Sequence, residues 1–500
     1  MTKRKKKSPK RLIITISTIV TLLIVSLSVQ LIIHKNNTPI VYSRNKSYIK
    51  GNIYSPNASA NMLDSLYDGE NILISPINAN VALAGIYNGA DNKSEKEIKK
   101  YFNENQTNTN KSLLKILNNL TIKNNKSKNE KYEKYINILF SKNYDNLKNQ
   151  DLNRLTQKDK DELLLVLRKI ELYYNQKTNK MKDKDIEKYK LSDKERASNS
   201  YVIKERINTI LVQYENYSIN NNVINYNELY VDKNKKINKT YTTTSKDLKT
   251  IVSQVDYKDK NSDDLISNHL QTVTGNKISR IISNNEITSG DIISVNSLVF
   301  NSKWAESFKS EYNIAEEFTD YQDHHYLVDM MYNEEKYYLE NEEAYGFAKD
   351  FEGNKYSFVG ILPKENKEFS LSNINIESLL NSKKNTKVNV GLPKFTIESN
   401  NNLIDLFKKE NITGVFSDKA NLHLLSNQEL KVEVMVQKET LTIGEHGTAE
   451  SKINNATLST KTTENDSKRI TFNKPFAFLI IDNESDDVLL IGRFNKPNQK

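Results

Sequence analysis

The sequence predicts an α+β fold, with helices gathered early in the chain and strands late. Apolar residues recur at helical spacing in Ala58, Met62, Leu63 and Leu66, and again in Leu163, Leu164, Leu167 and Ile170. Towards the C-terminus the pattern turns to β. Val432, Val434 and Val436 alternate with Glu433, Met435 and Gln437, as in a half-buried strand, and Phe476–Ile481 and Val488–Phe494 are near-continuous apolar runs. Few stretches carry the strand–helix–strand repeat of a parallel sheet, which leaves α+β as the class.

The chain opens with a basic flank, residues 1–11. It holds seven of the ten net positive charges, leaving +3 for everything after it, an ordinary globular balance rather than a nucleic-acid footprint. Leu12–Ile33 then runs 22 residues without a charge. About 20 such residues cross a bilayer as a helix, and the preceding cations keep the N-terminus cytoplasmic. The expectation is a single-pass anchor in the cell membrane, a tether over 34–47 and an extracellular domain over 48–500. A cleaved signal peptide is the rival reading and would give a secreted protein. The apolar core exceeds the usual signal length and no A-x-A follows it, which favours the anchor.

Beyond the tether, Asn71–Pro76 reads as a short strand with a proline stop. Asn78 is positioned to cap the helix that carries Val81, Leu83, Ala84 and Ile86, and Gly89 ends it. Ser94 with Glu97 reads as a capping box for the next helix. From about 118 to 196 Lys, Asn, Glu and Asp dominate and Gly is absent. This is a charged helical insertion, read as a solvated element packed on the main body or as an accessory module for a partner. Asp159–Tyr174 is its clearest helix. The final apolar runs, joined by DNESDD, form a buried hairpin.

The chain has no cysteine, so disulfides, thiolate nucleophiles and Cys-ligated metals are excluded. Its six histidines include no HExxH pair, and His324 and His325 are adjacent rather than at metal-site spacing. No GxSxG, His–Asp–Ser set or paired-carboxylate motif points to an enzyme. No cofactor is expected, and no nucleic-acid partner.

Between the last strands lies Gly444–Arg469, a polar loop whose only apolar residues are Ala449, Ile453, Ala456 and Leu458. Loops beyond about a dozen residues are usually functional or disordered.

Six motifs in order now resemble one family. They are Asn71–Pro76 with Gly89-Ala90; VNSLVFNSKWAESF from Val295 with the chain's one tryptophan, Trp304; GILPKE at Gly360; GLPKFTIE at Gly391; GEHGT at Gly444; and FNKPFAFLI with VLLIGRF. From about Ile53 to Pro497 the sequence resembles the serpins, the serine protease inhibitor fold. The resemblance implies three β-sheets (A, B, C), about nine helices, a monomer, and an exposed reactive-centre loop over the polar strip. A serine protease would be its partner.

The resemblance also implies roles. Glu445, Gly447, Thr448, Ala449, Glu450 and Lys452 would form the hinge that enters the largest sheet. Family spacing from Glu445 places the scissile bond at Lys461–Thr462, and Lys there suits a trypsin-like protease. Counting back from Phe472–Phe476 ends on Glu464, so the bond falls within Thr460–Glu464. Lys468–Arg469 sits too close to the next strand. Ser75, Asn78, Asn296, Trp304 and Gln437 would mark the region where the sheet opens, with Asn78, Asn296 and Gln437 placed to bond one another.

Departures set the alternative. The hinge has Glu450 and Lys452 where the family has mostly Ala. Strand alternation puts both on one face with Thr448; the resemblance implies that this face turns inward on insertion, where an unpaired charge costs several kcal/mol. A non-inhibitory serpin-like surface binding protein is therefore the second reading. Gln437 and His269 stand where the family usually has His and Trp.

Overall fold

The computed structural model describes residues 53–120, most of 131–175, 181–219, 223–259, 262–274, 277–278, 291–365, 368–448 and 468–497. The anchor expected over Leu12–Ile33 lies outside them. Among the described residues no helix is long and apolar enough to cross a membrane.

Helix α1, Pro56–Leu66, starts where the Ser55 hydroxyl accepts the Ala58 N–H. Strand β1, Ile72–Ile74, leads into α2, Pro76–Tyr87. The cap of α2 is Ser75 and not Asn78: Ser75 Oγ faces the Asn78 N–H, and Pro76 takes the first position, where a missing N–H costs nothing. Helix α3, Asn92–Phe102, departs from the expected capping box. Ser94 accepts the Asn421 N–H at 2.9 Å and Glu97 accepts those of Thr413 and Gly414 at 2.9 and 2.7 Å. Both side chains fasten a distant loop instead of their own helix. Helix α4 spans Gln106–Asn119.

Helices α5 (Gln157–Tyr174), α6 (Asp183–Glu187), α7 (Asp193–Arg196) and α8 (Ser200–Ile219) follow, so the helical region runs on past 196 to the edge of the next strand. Then come β2 (Val223–Asp232), α9 (Lys239–Asp247), β3 (Ile251–Val255), α10 (Ser262–Val273) and β4 (Ile292–Phe300). The middle of the chain gives β5 (Ile314–Thr319), β6 (His325–Glu340), β7 (Ala344–Asp350), β8 (Tyr356–Pro363), α11 (Ile376–Asn381), β9 (Lys384–Pro393), β10 (Phe395–Asn402) and α12 (Leu403–Lys409). The last strands are β11 (Val432–Ile443), β12 (Lys468–Thr471), β13 (Phe476–Asp482) and β14 (Val488–Phe494). These twelve α-helices, with further helical residues between 131 and 139, exceed the roughly nine expected; α5–α8 belong to the charged region and its extension.

Among the described residues the strands form two sheets, where three were expected. One has five strands in the order β10-β11-β4-β2-β3. The other has nine, β1-β14-β13-β8-β7-β6-β9-β12 with β5 on β6. The 16-residue β6 pairs with β5, β7 and β9. It is long enough to join what would be two smaller sheets into one. The expected C-terminal hairpin is β13–β14, buried along its whole length.

Helix α2 is mostly apolar with no polar face, and all twelve of its residues are buried. A helix of that kind must lie between layers; it packs on β2 and β4 of one sheet and β14 of the other. Strand β4 is buried on both faces. Leu298 and Phe300 join the main core, while Ile293, Val295 and Val299 join a second core built with the insertion. Leu163, Leu164, Leu167 and Ile170 of α5 and Ile203, Ile207 and Ile210 of α8 meet Ile266 and Leu270 of α10 there. The charged region thus packs its apolar stripe against β4 and α10 and carries most of its charges elsewhere; Arg206 forks onto Glu171 at 2.7 and 3.1 Å.

Because Leu167 is fully buried among these helices, Leu167→Ala should cost about 2–5 kcal/mol. Urea unfolding checks this, and the fluorescence of Trp304, which sits in the other core, should keep its native maximum.

Candidate functional site

The two middle strands of the five-stranded sheet, β4 and β11, run parallel. They pair from Val432 opposite Ile292 to Gln437 opposite Asn296, with an irregularity between Val432 and Val434. That irregularity corrects the alternation expected for β11. Met435, Gln437, Glu439, Leu441 and Ile443 face the main core, whereas Val434 and Val436 are half-buried against the second core.

Past Gln437 the ladder between β4 and β11 stops, and side chains take over its backbone groups. The Glu439 carboxylate accepts the Leu298 N–H through both oxygens, at 3.0 and 2.9 Å. Higher up, Thr448 closes the mouth of the seam. Its N–H donates to Ser302 O at 2.9 Å, and its hydroxyl accepts the Ser302 N–H at 2.9 Å and donates to Phe300 O at 3.0 Å. Buried backbone groups must be paired somewhere, and here a carboxylate and a threonine stand in for a missing strand. Glu439 is fully buried, and burial pushes its carboxyl well above the usual carboxylate range, opposed by the Leu298 N–H.

The hinge that leads to Thr448 is a tight hairpin. Gly444 N donates to Gly447 O at 3.0 Å and Gly447 N to Gly444 O at 3.3 Å, with Glu445 and His446 at the turn. Gly447 has φ +128°, and a Cβ there would fall 2.2 Å from Ser302 O, so only glycine fits. Trp304 holds the turn from below: its indole N–H donates to Gly444 O at 2.9 Å and its backbone N–H to His446 O at 3.0 Å. Glu445 is fixed by Lys394 at 2.7 Å, by the Asn313 amide, and through its carbonyl by the Phe308 N–H at 2.9 Å. Beneath Trp304 lie Phe351, stacked at 4.3 Å, and a buried Lys349–Glu335 pair at 2.5 Å.

Of the residues expected where the sheet opens, Ser75, Asn78, Asn296 and Gln437 lie along the lower seam with other partners than expected, and Trp304 sits under the hinge instead. Gln437 clamps the Ser75 backbone, accepting its N–H at 2.9 Å and donating to its carbonyl at 3.0 Å. Asn78 donates to Ser297 O at 2.5 Å and accepts from Asn227 at 3.3 Å. Asn296 donates to Ser294 Oγ at 3.1 Å and Val436 O at 3.2 Å. The expected mutual bonding of the three amides is thus replaced by bonds to backbone and to small polar neighbours. His269 is buried on α10, its Nδ1 3.2 Å from the Tyr230 hydroxyl and 3.3 Å from Glu228. Lys468 and Arg469 open β12, so they belong to a strand. Ala449, Glu450, Lys452, Lys461 and Thr462 lie outside the described residues. The sequence reading missed Glu439, Lys394 and Asn313. Only Glu439 left a signal, as a charge at period two between Gln437 and Leu441.

With this geometry in view, the comparisons are direct. A family model described as Serpin (serine protease inhibitor) matches residues 172–497, and the chain belongs to the serpin family, a family of protease inhibitors rather than enzymes. It is 30% identical over 261 residues to an uncharacterized serpin-like protein of Methanosarcina mazei, covering 50% of this chain and 61% of that one. To the human plasma serine protease inhibitor it is 28% identical over 240 residues, covering 46% and 58%. The matched stretches thus span less than two thirds of these relatives. Among solved structures, tengpin in its native state superposes with a TM-score of 0.59 at 21% identity, covering 90% of this chain and 95% of that one. Uncleaved ovalbumin gives 0.61 at 19%, covering 89% and 99%.

Two outcomes follow from the site. Gly447→Ala should displace the hinge from Ser302, and Trp304, the chain's single tryptophan, should report this as a shifted emission maximum. The raised Glu439 carboxyl means that the folded chain holds that proton more tightly than the unfolded one. Its contribution to stability is therefore fully present below the ordinary value of 4.5 and is lost as pH rises through the folded value. As pH falls from about 8 towards about 5, the wild-type chain should gain stability relative to Glu439→Gln, measured by urea unfolding at each pH.

Proposed function

We propose that this chain is a suicide-substrate inhibitor of a serine protease, with a trypsin-like enzyme as target and Lys461–Thr462 as the reactive bond. The observation that carries this reading is the hinge: a hairpin turned back at Gly444–Gly447, with Thr448 already bonded along β4 at the mouth of an unpaired seam. In the proposed cycle the protease serine attacks the Lys461 carbonyl and the Thr462 amine departs, leaving an ester. The freed upstream segment then enters between β4 and β11, pairing its backbone groups and burying apolar surface. The tethered enzyme is carried off and distorted before water can hydrolyse the ester. The inhibitor supplies no catalytic group, only a metastable sheet.

The same reading places the domain outside the cell, held by a membrane segment at Leu12–Ile33. A second reading, a non-inhibitory surface binding protein, is favoured by the charges Glu450 and Lys452 in the hinge. Thyroxine-binding globulin, solved with thyroxine, superposes with a TM-score of 0.59 at 16% identity, covering 90% of this chain and 98% of that one.

The chain lacking residues 1–47, mixed with trypsin, should give an SDS-resistant adduct of the protease with the fragment ending at Lys461, the 462–500 piece running separately, and Lys461→Ala should abolish it. Clean cleavage with no adduct would select the second reading.

A further inference from the structure

Strand β14 is buried along its whole length and carries one charge, Arg493, which is 1% exposed. Its guanidinium carbon lies 3.7 Å from the ring centre of Tyr67, just past α1, and 4.5 Å from that of Phe369. Tyr321, in the turn between β5 and β6, stands beside it: burial raises the Tyr321 phenol, and the Arg493 charge opposes the rise. Aromatic faces attract a cation, but they repay only part of the hydration that a buried guanidinium gives up.

Among the described residues, Nε and Nη2 of Arg493 are buried without a hydrogen-bond partner, and so is the Tyr321 hydroxyl. Nε and Nη2 form one edge of the guanidinium, an edge that takes a carboxylate through two parallel bonds. Arg206 shows the arrangement elsewhere in this chain, with Nε and Nη2 on the two oxygens of Glu171 at 2.7 and 3.1 Å. Each element around Arg493 also brings a carboxylate, and each is turned to other donors. Asp64 of α1 accepts the Ser370 hydroxyl and the Ser372 N–H. Asp320 accepts the N–H groups of Gln322 and His324 and the Tyr326 hydroxyl. Glu368 is exposed and accepts the Tyr67 hydroxyl at 3.2 Å, while Tyr67 accepts the Asn495 amide at 2.9 Å.

We propose that Arg493 and the Tyr321 hydroxyl form a binding site for a small carboxylate anion, of the size of formate, acetate or bicarbonate. The guanidinium edge would hold both oxygens, and Tyr321 would donate to one of them. The surroundings set the class. One guanidinium balances one negative charge, and a phosphate dianion would leave a second charge buried. A carboxylate lies in the guanidinium plane, whereas the tetrahedral oxygens of phosphate or sulfate would meet aromatic faces, which are negative. Tyr67, Phe369 and Tyr321 are half-buried, so the site lies one layer of side chains below the surface, within reach of an ion and not of a macromolecule. It depends neither on the loop nor on the target protease.

The full chain, in detergent, can be melted in sodium formate, sodium chloride and sodium phosphate at equal ionic strength. Formate should raise the melting temperature in a saturable way that chloride and phosphate do not reproduce. Tyr321→Phe should need about tenfold more formate for the same rise. Arg493→Met should lose the response; should that variant not fold, Tyr321→Phe decides alone. An equal response to formate and chloride, or a formate response unchanged in Tyr321→Phe, overturns the site. A phosphate response matching that of formate overturns the class of ligand. A response that appears only after Glu368→Gln shows that the chain's own carboxylate takes the edge, and overturns a free ligand.

Discussion

Two parallel strands in the middle of a sheet ordinarily pair along their whole shared length, because each unpaired N–H or C=O removed from water costs free energy comparable to a lost hydrogen bond. Here β4 and β11 pair only up to Asn296 and Gln437. Everything above that point is organised around the resulting deficit. Glu439 covers Leu298, Thr448 covers Phe300 and Ser302, and the glycine hairpin exists to bring Thr448 there. The upper part of this sheet is thus finished with side chains rather than with a backbone ladder between β4 and β11.

The supports of this arrangement come from far along the chain. Trp304, the Lys349–Glu335 pair and Phe351 make the floor under the turn, and Lys394 and Asn313 hold Glu445 from the side. Below, Gln437 clips the start of α2 to β11 through both backbone groups of Ser75. The lower seam is therefore closed by backbone pairing and an amide clamp, and the upper seam by a carboxylate and a hydroxyl.

The charged region adds a second core on the outer face of β4. Its apolar stripe covers Ile293, Val295 and Val299 on the outer face of β4 and packs with α10. Strand β4 is thus held from both faces, which ties the charged region to the same strand that borders the seam.

The sequence by itself determined the α+β class, the helix carrying Leu163 to Ile170, the buried terminal hairpin and the order of motifs that marks the family, because each is written in local periodicity or in contiguous residues. Through the family resemblance it also grouped Glu445, Gly447 and Thr448 in a hinge, and Trp304 and Gln437 in a separate region where the sheet would open. Tertiary structure decided what those residues touch. Ser94 and Glu97 have the spacing of a cap but fasten a loop more than three hundred residues away. The three amides expected to bond one another found backbone instead. A single irregularity in β11 exchanged which of its alternating side chains meet the main core. Glu439 is legible only as an odd charge in an apolar face until the strands are laid side by side. Its role depends on where the ladder ends, and that is a property of two strands separated by more than a hundred residues, which neither encodes alone.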